Sequence, residues 1–184
     1  MNWAALSSTP FRKFKHFTHE GGIAAPLIVH WPRGIPNSRR NTLVNQPAHL
    51  IDVMATVVDV TGAAYPREYK GQSIQPMEGV SLVPSFAGRS FNRMQPLFWE
   101  HEGNRAVRSG NWKLVSTFPN EWELYDMTTD RVERNNLAAS RPDLVKTLSA
   151  EWEAWAKRAN VDPWTGPRRL PWGDDARPAG RGAK

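Results

Sequence analysis

The hydrophobic and polar positions of this chain fall into three patterns. Ile23-Ala24-Ala25-Pro26-Leu27-Ile28-Val29-His30-Trp31 is an almost unbroken apolar run with the length and β-branched content of an interior strand. Leu43-Val44-Asn45 predicts a second, short strand. Leu50, Ile51, Met54, Val57 and Val58 then recur at helical spacing with Gly62 as a stop signal, and Asp52 and Asp59 fall between them, toward the solvent edge. Residues 63–96 are punctuated by Pro66, Gly71, Pro76, Gly79, Pro84 and Gly88 and read as loop. Four short apolar segments follow, at 96–100, 105–108, 112–116 and 122–126, with Ser109-Gly110 as a hairpin signal between the second and third. Strands in quick succession with short connections predict an antiparallel sheet. Ser140-Arg141-Pro142-Asp143 predicts a helix start with Ser140 as cap, and Leu144, Leu148, Trp152, Trp155 and Ala159 form the stripe that packs this helix on the sheet. Residues 1–14 read as irregular because Ser7-Ser8-Thr9-Pro10 interrupts any helix.

One stretch does not fit a purely structural pattern. Lys15-His16-Phe17-Thr18-His19-Glu20-Gly21-Gly22 leads directly into the first apolar run. Paired glycines allow a positive φ or a close backbone approach, and the loop they end presents a single cation, Lys15, at a sheet edge where α/β proteins place ligands. Lys15-x-x-x-x-Glu20-Gly21-Gly22-Ile23-x-x-Pro26-Leu27-Ile28-x-x-Trp31-Pro32 resembles the segment of type I sulfatases (arylsulfatases) that carries their sulfate-binding lysine. The resemblance continues through Pro47–Met54, Trp99–Arg108 and Trp122–Asp126, in the order of a sulfatase C-terminal portion, and covers roughly residues 3–160.

The resemblance implies an α/β fold, here an α+β fragment: the C-terminal part of an alkaline-phosphatase-like sulfatase, with a four-stranded antiparallel sheet packed by a helix. It implies a division into 1–95 (end of the catalytic domain), 96–160 (sheet and helix) and a basic, disordered tail over 161–184. It makes Lys15 the catalytic residue and Glu20, Gly21 and Gly22 the residues that shape its loop. His101 and Asn104, in Trp99-Glu100-His101-Glu102-Gly103-Asn104, become candidates for substrate binding. The family also uses a formylglycine nucleophile, an arginine, a second lysine, histidines and a calcium held by Asp and Asn, all at positions upstream of the lysine loop. These are expected to be absent here, so the chain reads as a fragment, inactive alone, of an enzyme that hydrolyses sulfate monoesters. Its expected partners are the sulfate ester and the missing N-terminal part of the enzyme. Ala24 departs from the family, which carries an arginine shortly after the glycine pair. The rival readings are a standalone module that binds anions or sulfated glycans, and a fragment of a related phosphoesterase.

Composition narrows this further. The chain holds no cysteine, which excludes disulfides, thiolate metal sites and a cysteine-derived formylglycine. Ser8-x-Pro10-x-Arg12 matches the short conversion motif formally, but in sulfatases that motif lies far upstream of the lysine loop, so Ser8 is read as an ordinary loop residue. His16 and His19, three apart, offer a metal-ligand spacing, set aside because both sit in the sulfatase-like loop. The net charge is +6, with +5 in residues 1–40, +3 in 168–184 and −2 between. A basic N-terminal arm suits an anionic substrate, and the basic tail reads as a solvated end rather than a nucleic-acid site. The nine tryptophans read as core. No apolar run is long enough to span a membrane, and no export signal opens the chain; a periplasmic or secreted location follows only if such a signal precedes it.

Overall fold

The computed structural model describes residues 2–166. Its elements in chain order are α1 (Asn2–Ser7), α2 (Glu20–Ile23), α3 (Ile51–Thr61), β1 (Glu68–Tyr69), β2 (Gln72–Ser73), α4 (Val83–Phe86), β3 (Leu97–His101), β4 (Asn104–Ser109), β5 (Trp112–Ser116), β6 (Glu123–Asp126) and α5 (Pro142–Arg158). They form two compact units. One joins Met1–Pro26 to the chain from Pro96 onward, and the other is Leu27–Gln95. Residues 1–26 thus lie with the sheet rather than with 27–95.

The first unit is built on the sheet β3-β4-β5-β6, antiparallel throughout and in sequence order. Two-residue turns set its register. His101 pairs with Asn104 across Glu102-Gly103, and Ser109 pairs with Trp112 across Gly110-Asn111. Both residues of the first turn have positive φ, +52° for Glu102 and +79° for Gly103, which matches the right-handed twist of the flanking strands. Alternation along the strands sends Val107, Leu114 and Leu124 to one face, where Leu148, Trp152 and Ala156 of α5 bury against them. Phe98 stacks on Trp155 with ring centroids 5.2 Å apart, and Trp152 Nε1 donates to the Trp99 carbonyl at 3.0 Å. Each large apolar side chain buried here contributes about 1.5–3 kcal/mol. Ser140 does not cap α5. Its hydroxyl donates to the Leu137 carbonyl at 3.0 Å within the turn Ala138–Ser140, and Pro142 opens the helix instead, where its missing N–H costs nothing.

The opposite face carries Ala106, Val115, Tyr125 and Met127, and it is the face that Glu20 of the N-terminal segment reaches. A short helix, α1, stands where irregular chain was expected, and ends before Pro10. Trp3, counted with the core from sequence, is 81% exposed.

The second unit departs most from expectation. Residues 24–31 form no strand, and neither do 43–45; Ile28 is 89% and Leu43 91% exposed. An extended segment becomes a strand only when a neighbouring strand takes its backbone N–H and C=O groups; among the described residues no strand pairs with 24–31, whose backbone bonds are local turns such as Ala24 N–H to the Glu20 carbonyl and Gly34 N–H to the Trp31 carbonyl. Helix α3 forms as predicted and stops at Gly62, which has φ +66°. Its orientation is reversed, however. Leu50, just before it, and Met54 and Val57 within it are exposed, while Asp52 and Ala55 are buried. Asp52 is held because its carboxylate accepts from the backbone N–H of His49 (2.7 Å) and Val80 (2.9 Å) and pairs with Arg93. Asp59 is exposed, as expected. His49 is half-buried beside this network, and burial lowers its pKa. The tail expected to be disordered falls, from residue 167, outside the described residues. No helix among those described is long and apolar enough to cross a membrane.

A lysine loop locked onto the sheet

Residues 12–22 cross the sheet face away from α5, and their side chains divide sharply. Phe14, Phe17, Thr18, His19 and Glu20 are buried, whereas Lys15 is exposed. Phe14 and Phe17 meet edge to face with centroids 5.3 Å apart and anchor the turn between them. Lys13 and His16, on either side of that exposed stretch, have φ of +67° and +88°. Such a backbone costs on the order of 1 kcal/mol or more per residue without glycine, and persists only where the surroundings impose it.

The surroundings here can be named. Asn104 Nδ2 donates to the His16 carbonyl at 2.7 Å, while Asn104 Oδ1 accepts from the Phe118 N–H at 3.2 Å. With both ends of its amide engaged in a buried position, Asn104 ties the loop to the sheet. At the other end, the Glu20 N–H donates to Glu133 at 2.9 Å, and Lys113 Nζ lies 2.9 Å from Glu20 and 2.8 Å from Glu133. Lys113 and Glu133 are fully buried. Glu20 is therefore a structural ion-pair partner of the sheet, and Arg131 Nη2 stands 3.6 Å from its second oxygen.

Gly21 and Gly22 form the turn α2. Neither is among the residues with positive φ, so a left-handed backbone is not the reason for glycine. Close approach is: a Cβ on Gly22 would stand 1.9 Å from the Phe17 carbonyl oxygen, and one on Gly21 would stand 2.3 Å from those of Arg12 and Lys13. A third group ties the start of the loop down. Arg12 Nη1 donates to Tyr125 Oη at 2.8 Å and to the Glu133 carbonyl at 2.5 Å, and lies 3.3 Å from Glu123. The Tyr125 hydroxyl donates to Glu123, and His19 Nε2 lies 3.4 Å from the same carboxylate. Hydrogen bonding to His19, then to Tyr125, together with the charge of Arg12, holds the Glu123 carboxyl down at about 2. Burial and the neighbouring Glu123 raise the Tyr125 phenol.

His101 ends β3 on the loop side of the sheet. Its Nε2 lies 3.3 Å from His16 Nδ1, and the same His16 atom lies 3.3 Å from Glu102 Oε2. The fold thus brings the neighbour of Lys15 against His101 and Asn104, across more than eighty residues of sequence. His19 points the other way and is buried at Glu123, so the two loop histidines share no ligand. The partners Lys113, Glu133, Tyr125 and Glu123 were not legible as site residues. Lys113 lies between Trp112 and Leu114, where alternation suggests a solvent-facing lysine, and only the loop covering that face buries it.

A four-stranded antiparallel sheet closed by a C-terminal helix on one side and by a glycine-turned lysine loop on the other is the C-terminal part of an alkaline-phosphatase-like sulfatase fold. The chain belongs to the family described as N-sulphoglucosamine sulphohydrolase, C-terminal, whose model matches residues 11–157. An uncharacterised sulfatase of Schizosaccharomyces pombe is 28% identical over 166 residues, covering 86% of this chain and 29% of its own length. A sulfatase of Formosa agariphila is 30% identical over 177 residues, covering 84% of this chain and 31% of its own length. Among solved structures, the crystal structure of Ps i-CgsB aligns with a TM-score of 0.66 at 22% identity, over 80% of this chain and 32% of that one. The chain therefore spans less than a third of the length of these relatives.

Proposed function

We propose that this chain contributes the sulfate-gripping wall of a sulfuric ester hydrolase and has no turnover by itself. The observation that carries the reading is the division of the loop: Lys15 is the exposed residue of 12–22, while the His16 carbonyl beside it and the Glu20 carboxylate further on are held to the sheet by Asn104 and Lys113. A lysine on a backbone fixed in advance can hold a sulfate oxygen and stabilise the charge that builds on the ester as the S–O bond breaks, without reorganising at that moment. His101 stands beside the adjacent residue and is available to the leaving group or the sugar or aryl portion of the ester.

The remaining machinery is assigned to other parts of the enzyme. There is no cysteine to become formylglycine. The residues present do not fit calcium either. Calcium takes six to eight oxygens, whereas the only acidic-and-histidine cluster among the described residues offers two imidazoles and one carboxylate. No catalytic step is assigned to a calcium on this chain. The exposed apolar residues of Leu27–Gln95, with Ile28, Leu43 and Leu50 each more than 80% exposed, support a larger protein packed over them.

The test is complementation. The chain is purified alone and also co-expressed with the preceding two-thirds of a related sulfatase matured for formylglycine, and both are assayed on p-nitrophenyl sulfate and on sulfated sugars. The complex should turn over and lose about a hundredfold or more on Lys15→Ala, while the chain alone should be silent. Robust hydrolysis by the chain alone, or a complex indifferent to Lys15→Ala, refutes the reading.

A further inference from the structure

The trio His16, His101 and Glu102 has the geometry of a metal site that is not a calcium site. Each residue presents one ligand atom, and these atoms all lie within 4.8 Å of one another. Donors bound to zinc at about 2.0–2.2 Å in a tetrahedron stand roughly 3.3–3.5 Å apart. His16 Nδ1 lies 3.3 Å from His101 Nε2 and 3.3 Å from Glu102 Oε2, so two of the three edges already have that length.

The backbone supports this convergence at some cost. His16 has φ +88° and Glu102 φ +52°, a region that few residues other than glycine occupy. Asn104 fixes the first by gripping the His16 carbonyl, and the hairpin turn fixes the second, with the Gly103 N–H donating to Glu100 at 2.8 Å. Glu102 Oε2 is out of contact with water and has no hydrogen-bond donor, although it faces His16. A buried carboxylate oxygen without a donor is unfavourable, and a cation between it and the two imidazoles would relieve it.

The geometry points to a site for zinc, or a first-row divalent ion of similar preference, bound by His16 Nδ1, His101 Nε2 and Glu102 Oε2. The fourth position is open to water or an anion, because His101 is exposed. Two nitrogens and one carboxylate match the borderline-soft donor set that favours such ions over calcium or magnesium. The site does not depend on the sulfate reading, and its test uses binding alone.

Untagged protein is titrated with zinc chloride by calorimetry, and separately with cobalt chloride while the visible spectrum is recorded. The expected result is one equivalent of zinc bound at micromolar affinity or tighter, tetrahedral cobalt absorption bands, and no displacement by millimolar calcium. His101→Ala should weaken zinc by about tenfold or more, and Glu102→Gln, which keeps the turn and removes only the charge, should also weaken it. Circular dichroism confirms that each variant is folded; should His101→Ala fail to fold, Glu102→Gln decides. No zinc binding, binding unchanged in the folded variants (which would place it at His19, His30 or His49), or displacement by calcium overturns the assignment and leaves a hydrogen-bonded trio without metal.

Discussion

Asn104, buried in the first position of β4, donates its side-chain amide to the backbone carbonyl of His16 at 2.7 Å and so ties the lysine loop to the sheet. The bond spans 88 positions and replaces, for that carbonyl, the partner that regular secondary structure would supply. Asn104→Ala removes it and leaves the Phe118 N–H unpaired as well. The expected loss is about 1–3 kcal/mol in urea unfolding. Faster amide exchange should be confined to residues 13–19 and 116–119. Uniform exchange across the whole sheet would argue that Asn104 is only a core residue.

Gly22→Ala places a methyl 1.9 Å from a backbone oxygen, which cannot move aside as a flexible side chain could. The turn α2 must shift, at a cost of about 1–3 kcal/mol or more. In the complementation assay the variant should lose activity out of proportion to its loss of stability, because the displaced segment carries Lys15. A midpoint unchanged from wild type would contradict the packing described.

Lys113→Met leaves the carboxylates of Glu20 and Glu133 facing each other without their cation. Both are buried, so the expected cost is about 3–5 kcal/mol. Adding Glu20→Gln and Glu133→Gln to Lys113→Met should recover part of it, since a buried neutral cluster avoids the unpaired charge. Non-recovery would show that the ion pairs themselves, rather than the avoidance of a bare charge, sustain the loop.

Acid stability should depend on Glu123. Its carboxyl falls from an ordinary 4.5 to about 2 on folding. The sign follows directly: the folded state binds this proton less readily than the unfolded chain. The contribution is therefore complete above about 4.5 and drains away as pH falls toward 2. Thermal melts from pH 6 to 2 should show a smaller acid-induced drop in Glu123→Gln than in the wild type. Parallel curves for the two proteins would remove Glu123 from the account.

Local patterns carried much of this molecule. The four strands, their antiparallel order, the helix stripe of Leu148 and Trp152 and the stop at Gly62 all follow from alternation, turn chemistry and helical spacing, which act over a few residues. The stretch Lys15–Gly22 was legible as a loop needing glycine, because the motif is contiguous.

What tertiary structure decided is where each pattern faces and what it meets. The run 23–31 has the apolar length of a strand, yet forms none, since a strand exists only by pairing and Pro26 within the run has no N–H to offer. Asp52, polar and expected near solvent, is buried because two backbone N–H groups and Arg93 converge on it. The approach of His16 to His101, the grip of Asn104 on the loop and the burial of Lys113 join residues some ninety positions apart. Spacing along a chain reports periodicity but carries no information about which distant segment covers a face, and the chemistry of this site depends on that covering.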